Sequence, residues 1–68
     1  AYTYARRMTG HNYKYLAEAL AASHGDRAKI AENYRLALEI FNALRSEGKL
    51  EKLDEPVIPE IESKLARS

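Results

Sequence analysis

The most constraining feature of this sequence is the spacing of its apolar residues between positions 27 and 47. One set recurs at intervals of four, three, four and three residues: Ile30, Tyr34, Ala37, Phe41 and Leu44. Each residue turns an α-helix by about 100°, so this spacing places the set along one side of a helix. Leu36, Ile40 and Ala43 form a second apolar stripe about 100° around the same axis. A helix that is apolar over so much of its circumference needs cover from two sides.

The element predicted to pack on one side of this helix lies just upstream. A helix over about residues 11–23 carries an apolar stripe of the same period, composed of Tyr13, Leu16, Ala17 and Leu20. The segment "SHGD" separates the two helices. Gly25 is expected to adopt the left-handed conformation that ends the first helix, and Asp26 is expected to accept a hydrogen bond from the first amides of the second. Such a short corner predicts an antiparallel helical hairpin.

The element predicted to pack on the other side of the second helix lies downstream. Pro56 prevents the chain from continuing as one uninterrupted helix through this region. A short third helix is expected over about residues 59–66, after a connector in which Leu50 and Leu53 hold a single turn. Residues 1–10 are the uncertain extension, because they could form a short helix that stops at Gly10 or continue into the next helix. The expectation is therefore an all-α fold in which residues 1–68 form a single small domain, an antiparallel helical hairpin plus a short third helix.

Composition narrows the classes of function. The chain has 68 residues, no cysteine and a formal net charge of +1, so it has neither disulfides nor the strong positive field of a nonspecific nucleic-acid binder. No apolar stretch predicts a membrane span, and we expect a cytoplasmic protein. His11 and His24 lack a second ligand at helical spacing, and no serine stands in the context of a nucleophile. We therefore expect no enzymatic activity, metal or cofactor.

The pattern instead predicts protein binding. A domain this small has little core and often depends on a partner for its stability. If the first stripe of the second helix seals the hairpin, the second stripe is left for the third helix or a partner, and tyrosines near the N-terminus add aromatic surface. The residues predicted to bind a partner are Leu36, Ile40, Ala43, Tyr15 and Tyr4.

Residues 13–44 also resemble a tetratricopeptide repeat. In the first helix the resemblance rests on an aromatic residue, a Leu followed by a small residue, and a large apolar residue, which are Tyr13, Leu16, Ala17 and Leu20. In the second helix it rests on an apolar residue before an aromatic one, Ile30 and Tyr34, followed by Ala37. This resemblance implies a repeat-like helical hairpin. It agrees with an interaction or oligomerisation module, either self-associating or docked on a larger protein.

A second resemblance keeps one alternative open. The stretch "LAEALAASHGDRAKIAE" resembles the first part of a Fis-type helix-turn-helix, which implies sequence-specific DNA binding by a dimer. The following residues, "NYRLALEIFNAL", contain no glycine for the turn. Only Asn42 and Arg45 could contact base edges there, beside the repelling charge of Glu39. The sequence thus favours protein binding over nucleic-acid binding.

Overall fold

The structure is a computed structural model that describes residues 2–67. Within this range the chain forms three α-helices and a one-turn 3₁₀ helix, with no strand. The α-helices are α1 (Tyr2–Ala22), α2 (Arg27–Ser46) and α3 (Val57–Ala66), and the 3₁₀ turn covers Lys52–Asp54. Helix α1 packs mainly on α2 as an antiparallel hairpin, and α3 packs on α2. The predicted all-α hairpin with a short third helix is confirmed.

Helix α1 is longer than the predicted first helix, because the chain continues through Gly10 without a break. Gly10 is buried against α2, and a Cβ atom at this position would lie 3.1 Å from Ile40 Cγ2 and 3.1 Å from Phe41 Cζ. Of the two courses expected for residues 1–10, the structure thus shows the one in which the helix continues through Gly10. Its missing side chain gives the two helices a close approach, which outweighs the low helix propensity of glycine.

The corner between α1 and α2 differs from the prediction in one residue. His24, and not Gly25, takes the left-handed conformation, with φ 58°. The Gly25 amide donates to the Leu20 carbonyl over 2.7 Å, so the two residues form a Schellman closure with His24 at the left-handed position. The predicted N-cap is confirmed, since the Asp26 side chain accepts a hydrogen bond from the Ala28 amide at 2.8 Å.

The core lies between the helices and is built largely from α2. It contains Ala17, Tyr34, Ala37, Phe41, Leu44, Val57, Ile58 and Ile61. The predicted sealing role of Tyr34, Phe41 and Leu44 is confirmed. Leu16 was placed wrongly, because its side chain is 49% exposed. Gly10 and Ala17, seven residues apart, define the buried side of α1, and Leu16 lies about 100° away from Ala17.

The connector is also anchored differently from the prediction. The expected turn is present, but Leu53 is 81% exposed whereas Asp54 is buried. Asp54 is buried because it meets basic side chains of α1, so the connector is held by a carboxylate rather than by a leucine. Helix α3 starts at Val57, two positions earlier than expected, since Val57 and Ile58 join the core.

Candidate functional site

The surface of α1 that faces away from α2 carries no charged residue. Helical geometry places its central residues within an arc of about 140°. These residues, which we call the uncharged face, are Tyr4, Ala5, Met8, Thr9, Asn12, Tyr15, Leu16 and Ala19, and all of them are exposed. At about 1.5 Å per residue, α1 is about 32 Å long. The uncharged face therefore extends along nearly the whole 34 Å length of the molecule.

The charged side chains of α1 lie along the borders of the helix, and Arg6, Arg7 and Lys14 reach the residue after α2, the connector and α3. The charged side chains of α1 are between 14% and 35% exposed. Arg6 donates two hydrogen bonds of 2.8 Å to the Glu47 carboxylate. Lys14 lies 3.5 Å from a Glu18 oxygen and 4.0 Å from a Glu60 oxygen. These contacts direct charge toward the rest of the fold and leave the opposite side of α1 without it.

Asp54 is the centre of the most buried polar cluster. Arg7 donates from Nε at 2.6 Å and from Nη2 at 3.2 Å, and His11 Nε2 lies 3.0 Å from Asp54 Oδ1. A carboxylate oxygen only accepts, so His11 donates from Nε2. Burial acts to raise the pKa of Asp54, but the hydrogen bonds from Arg7 and His11 outweigh it and hold the pKa below its ordinary value. The ionised carboxylate therefore fixes two residues of α1.

This cluster also supports an aromatic residue on the uncharged face. The His11 ring packs edge-on against Phe41, with centroids 5.0 Å apart, and stacks with Tyr15 at 6.0 Å. The Lys14 ammonium lies 5.5 Å from the centre of the Tyr15 ring. Tyr15 is thus held by neighbours that are themselves anchored to the fold, while 56% of it stays exposed. Binding of a partner at Tyr15 would therefore cost little additional side-chain conformational entropy.

The structure separates the residues predicted to bind a partner into two groups. Tyr4 and Tyr15 are exposed on the uncharged face, with Tyr4 65% exposed. Leu36, Ile40 and Ala43 are half-buried, and Ile40 packs against the core beside Gly10. These three residues therefore present less open surface than the apolar stripe suggested, because the long α1 covers part of it.

Sequence reasoning did not assign Met8, Asn12 and Leu16 to this surface. The signal was available: a helical projection of residues 2–22 as one helix places every charged residue outside the arc of the uncharged face. The course of residues 1–10 was left open between two possibilities, so the helical projection was not extended across Gly10.

Other candidate sites offer less. The described residues contain no group of three or more His, Asp or Glu side chains that could hold a metal ion. A shallow depression is lined by Arg45, Gly48, Leu50 and Glu55. No helix in residues 2–67 has the length and apolar character needed to cross a membrane. Helix α2 continues unbroken from Arg27 to Ser46, without the turn that a helix-turn-helix would need after Glu32.

No protein-family model matches the chain, and no match was found among curated proteins or among solved structures.

Proposed function

We propose that this chain is a protein-interaction module that binds another protein chain through the uncharged face of α1. The observation that carries the proposal is that every exposed residue of α1 is uncharged, over the full length of the helix. Charged residues are depleted and Tyr and Met are enriched at the centres of protein interfaces. A long exposed strip that is uncharged and mostly apolar is a recognised mark of an interaction site.

The distribution of the large exposed apolar residues supports this site. In residues 2–67 they are Tyr2, Tyr4, Met8, Tyr15, Leu16 and Leu53, so all except Leu53 belong to α1. Single exposed apolar residues are ordinary on protein surfaces, but a cluster on one helix is not. Tyr15 is the expected energetic centre, since a pre-positioned tyrosine is typical of the residues that dominate binding energy. The proposed role is binding without catalysis, and the proposed location is the cytoplasm, because a chain without cysteine needs no oxidising compartment for its fold.

A site-specific photo-cross-linker tests this function. The photoreactive amino acid p-benzoylphenylalanine is placed at Tyr15 and, as a matched control, at the exposed Glu39 of α2. Irradiation is carried out in expressing cells and on the purified chain. We expect cross-linked protein adducts from position 15 and none from position 39. Equal yields at both positions, or none at position 15, would contradict the proposed face.

A further inference from the structure

We propose that the occupant of the uncharged face is a second copy of this chain, with the two α1 helices antiparallel and a two-fold axis near Asn12. This inference rests on the proposed function and identifies its partner. A two-fold interface uses the same surface on both copies, so the surface must tolerate itself. The uncharged face does so, because no charge on it meets a like charge on the other copy.

The sizes of the side chains fit this arrangement. With the axis near Asn12, Tyr4 of one copy lies opposite the small Ala19 of the other, and Met8 lies opposite Tyr15. Large residues facing small or flexible ones let two helices approach closely. Asn12 lies near its own counterpart, and an amide side chain both donates and accepts hydrogen bonds. A polar Asn in an otherwise apolar helix interface fixes the register of the two helices.

Charge at the border of the face selects the antiparallel direction. Arg7 and Glu18 lie on the same border of α1, toward its two opposite ends, and their side chains are 26% and 35% exposed. Antiparallel pairing brings Arg7 of each copy toward Glu18 of the other, whereas parallel pairing sets this border against the opposite border of the other copy, where Arg6 lies at the height of Arg7. Antiparallel helices also place opposite ends of their dipoles side by side.

The size of the face sets the expected strength. A strip about 32 Å long and about 10 Å wide covers about 300 Å² in projection, and its accessible area is larger because side chains protrude from it. A standard interface buries about 800 Å² per partner, so the α1 strip is near or below that size. We therefore expect a dissociation constant in the micromolar range rather than a permanent dimer.

Sedimentation equilibrium on the full chain, from about 1 µM to 1 mM, tests the pairing. The unsubstituted chain is expected to change from monomer to dimer across this range. Met8→Glu and Tyr15→Lys each place a charge in the interface and should weaken dimerisation at least tenfold, while Glu39→Lys on α2 should not change it. Circular dichroism shows whether each variant keeps its helix content.

The double variant Met8→Glu/Tyr15→Lys tests the direction of pairing. In the antiparallel dimer each new Glu faces a new Lys of the other copy, so the double variant should dimerise more strongly than either single variant. In a parallel dimer like charges would meet, and a double variant weaker than both single variants would overturn the antiparallel arrangement. A chain that stays monomeric up to 1 mM overturns self-pairing altogether. If that monomer still cross-links to other proteins from position 15, only the second copy is excluded; if it does not, the proposed function fails as well.

Discussion

Helices α1 and α2 form one hairpin, yet they expose opposite kinds of surface. Apart from Ala28 and Ser46, every exposed residue of α2 is charged, as is usual for a helix that packs one side on a core. In α1 the exposed residues are uncharged, and its three basic residues Arg6, Arg7 and Lys14 contact carboxylates of the residue after α2, the connector and α3. The contrast shows that the polar side of a helix need not face water, when the rest of the fold supplies partners for its charges.

The same two helices end in the same way with different residues. Gly48 closes α2 with φ 72°, and its neighbour Lys49 donates to the Leu44 carbonyl over 2.8 Å. His24 closes α1 with the same pattern, although only glycine adopts this conformation without steric cost. The same closure therefore forms with either histidine or glycine at the left-handed position.

The largest expected effect on stability distinguishes a core residue from a residue on the uncharged face. Phe41→Ala is expected to lower the free energy of unfolding by about 3–5 kcal/mol, because it removes a fully buried aromatic ring. Leu16→Ala should change it by less than about 0.5–1 kcal/mol, since half of that side chain is already exposed. Urea titration followed by circular dichroism measures both. A Leu16→Ala variant as unstable as Phe41→Ala would remove the distinction between the two sides of α1.

The next test removes the charge that directs Arg7 and His11 inward. Both carboxylate oxygens of Asp54 accept hydrogen bonds from Arg7 or His11, and Asp54→Asn leaves only one acceptor oxygen. This substitution should lower the free energy of unfolding by about 1–3 kcal/mol. Glu55→Gln, at the exposed neighbouring position, is the matched control and should have little effect. Stability equal in the two variants would mean that the Asp54 cluster does not hold α1.

The stability should also depend on pH in the acid range. The folded-state pKa of Asp54 lies below its unfolded value of about 3.9, so its stabilising contribution is complete above that pH. This contribution is lost as the pH falls through the folded-state pKa. Denaturant titrations from pH 7 to pH 2 should therefore show a loss of stability below about pH 4 that is smaller in Asp54→Asn. The pKa of Glu47 is also lowered, by its hydrogen bonds from Arg6, so part of the acid dependence should remain in that variant.

The smallest expected effect concerns the C-terminal end of α1. His24→Gly removes the steric cost of the left-handed conformation and should stabilise the chain by about 0.5–1 kcal/mol. Ala22→Gly, two residues earlier in the last turn of α1, should destabilise it by a similar amount because glycine is a poor helix former. Thermal unfolding midpoints of the two variants should shift in opposite directions. A lower midpoint for His24→Gly would show that its side chain stabilises the corner.

The elements predicted well depend on local pattern. The periodicity of α2 predicted the burial of Phe41 and Leu44, and Asp26 was recognisable as a cap from its position before a helix. Gly10 and Asp54 were not predictable in this way, because their roles arise from contacts with residues more than 25 positions away. In the candidate site, the exposure of Tyr15 followed from sequence.

The partner-binding assignment of Ile40 has a different basis. It assumed that the first stripe alone seals the hairpin and that the third helix covers the second stripe incompletely, whereas α1 at Gly10 also packs on Ile40.

The contacts of Asp54 also bear on the order in which the chain folds. They join residues 47 and 43 positions apart, whereas the corner at residues 23–26 joins neighbours in the chain. Closing a long loop costs more chain entropy than closing a short one, so the hairpin is expected to form from the corner outward. The first turns of α1, which carry Tyr4 and Met8, would then be fixed last and would open first in the native state. Their amide hydrogens should exchange with solvent faster than those around Ala17. The N-terminal end of the uncharged face would then be folded for a smaller fraction of the time than its C-terminal end.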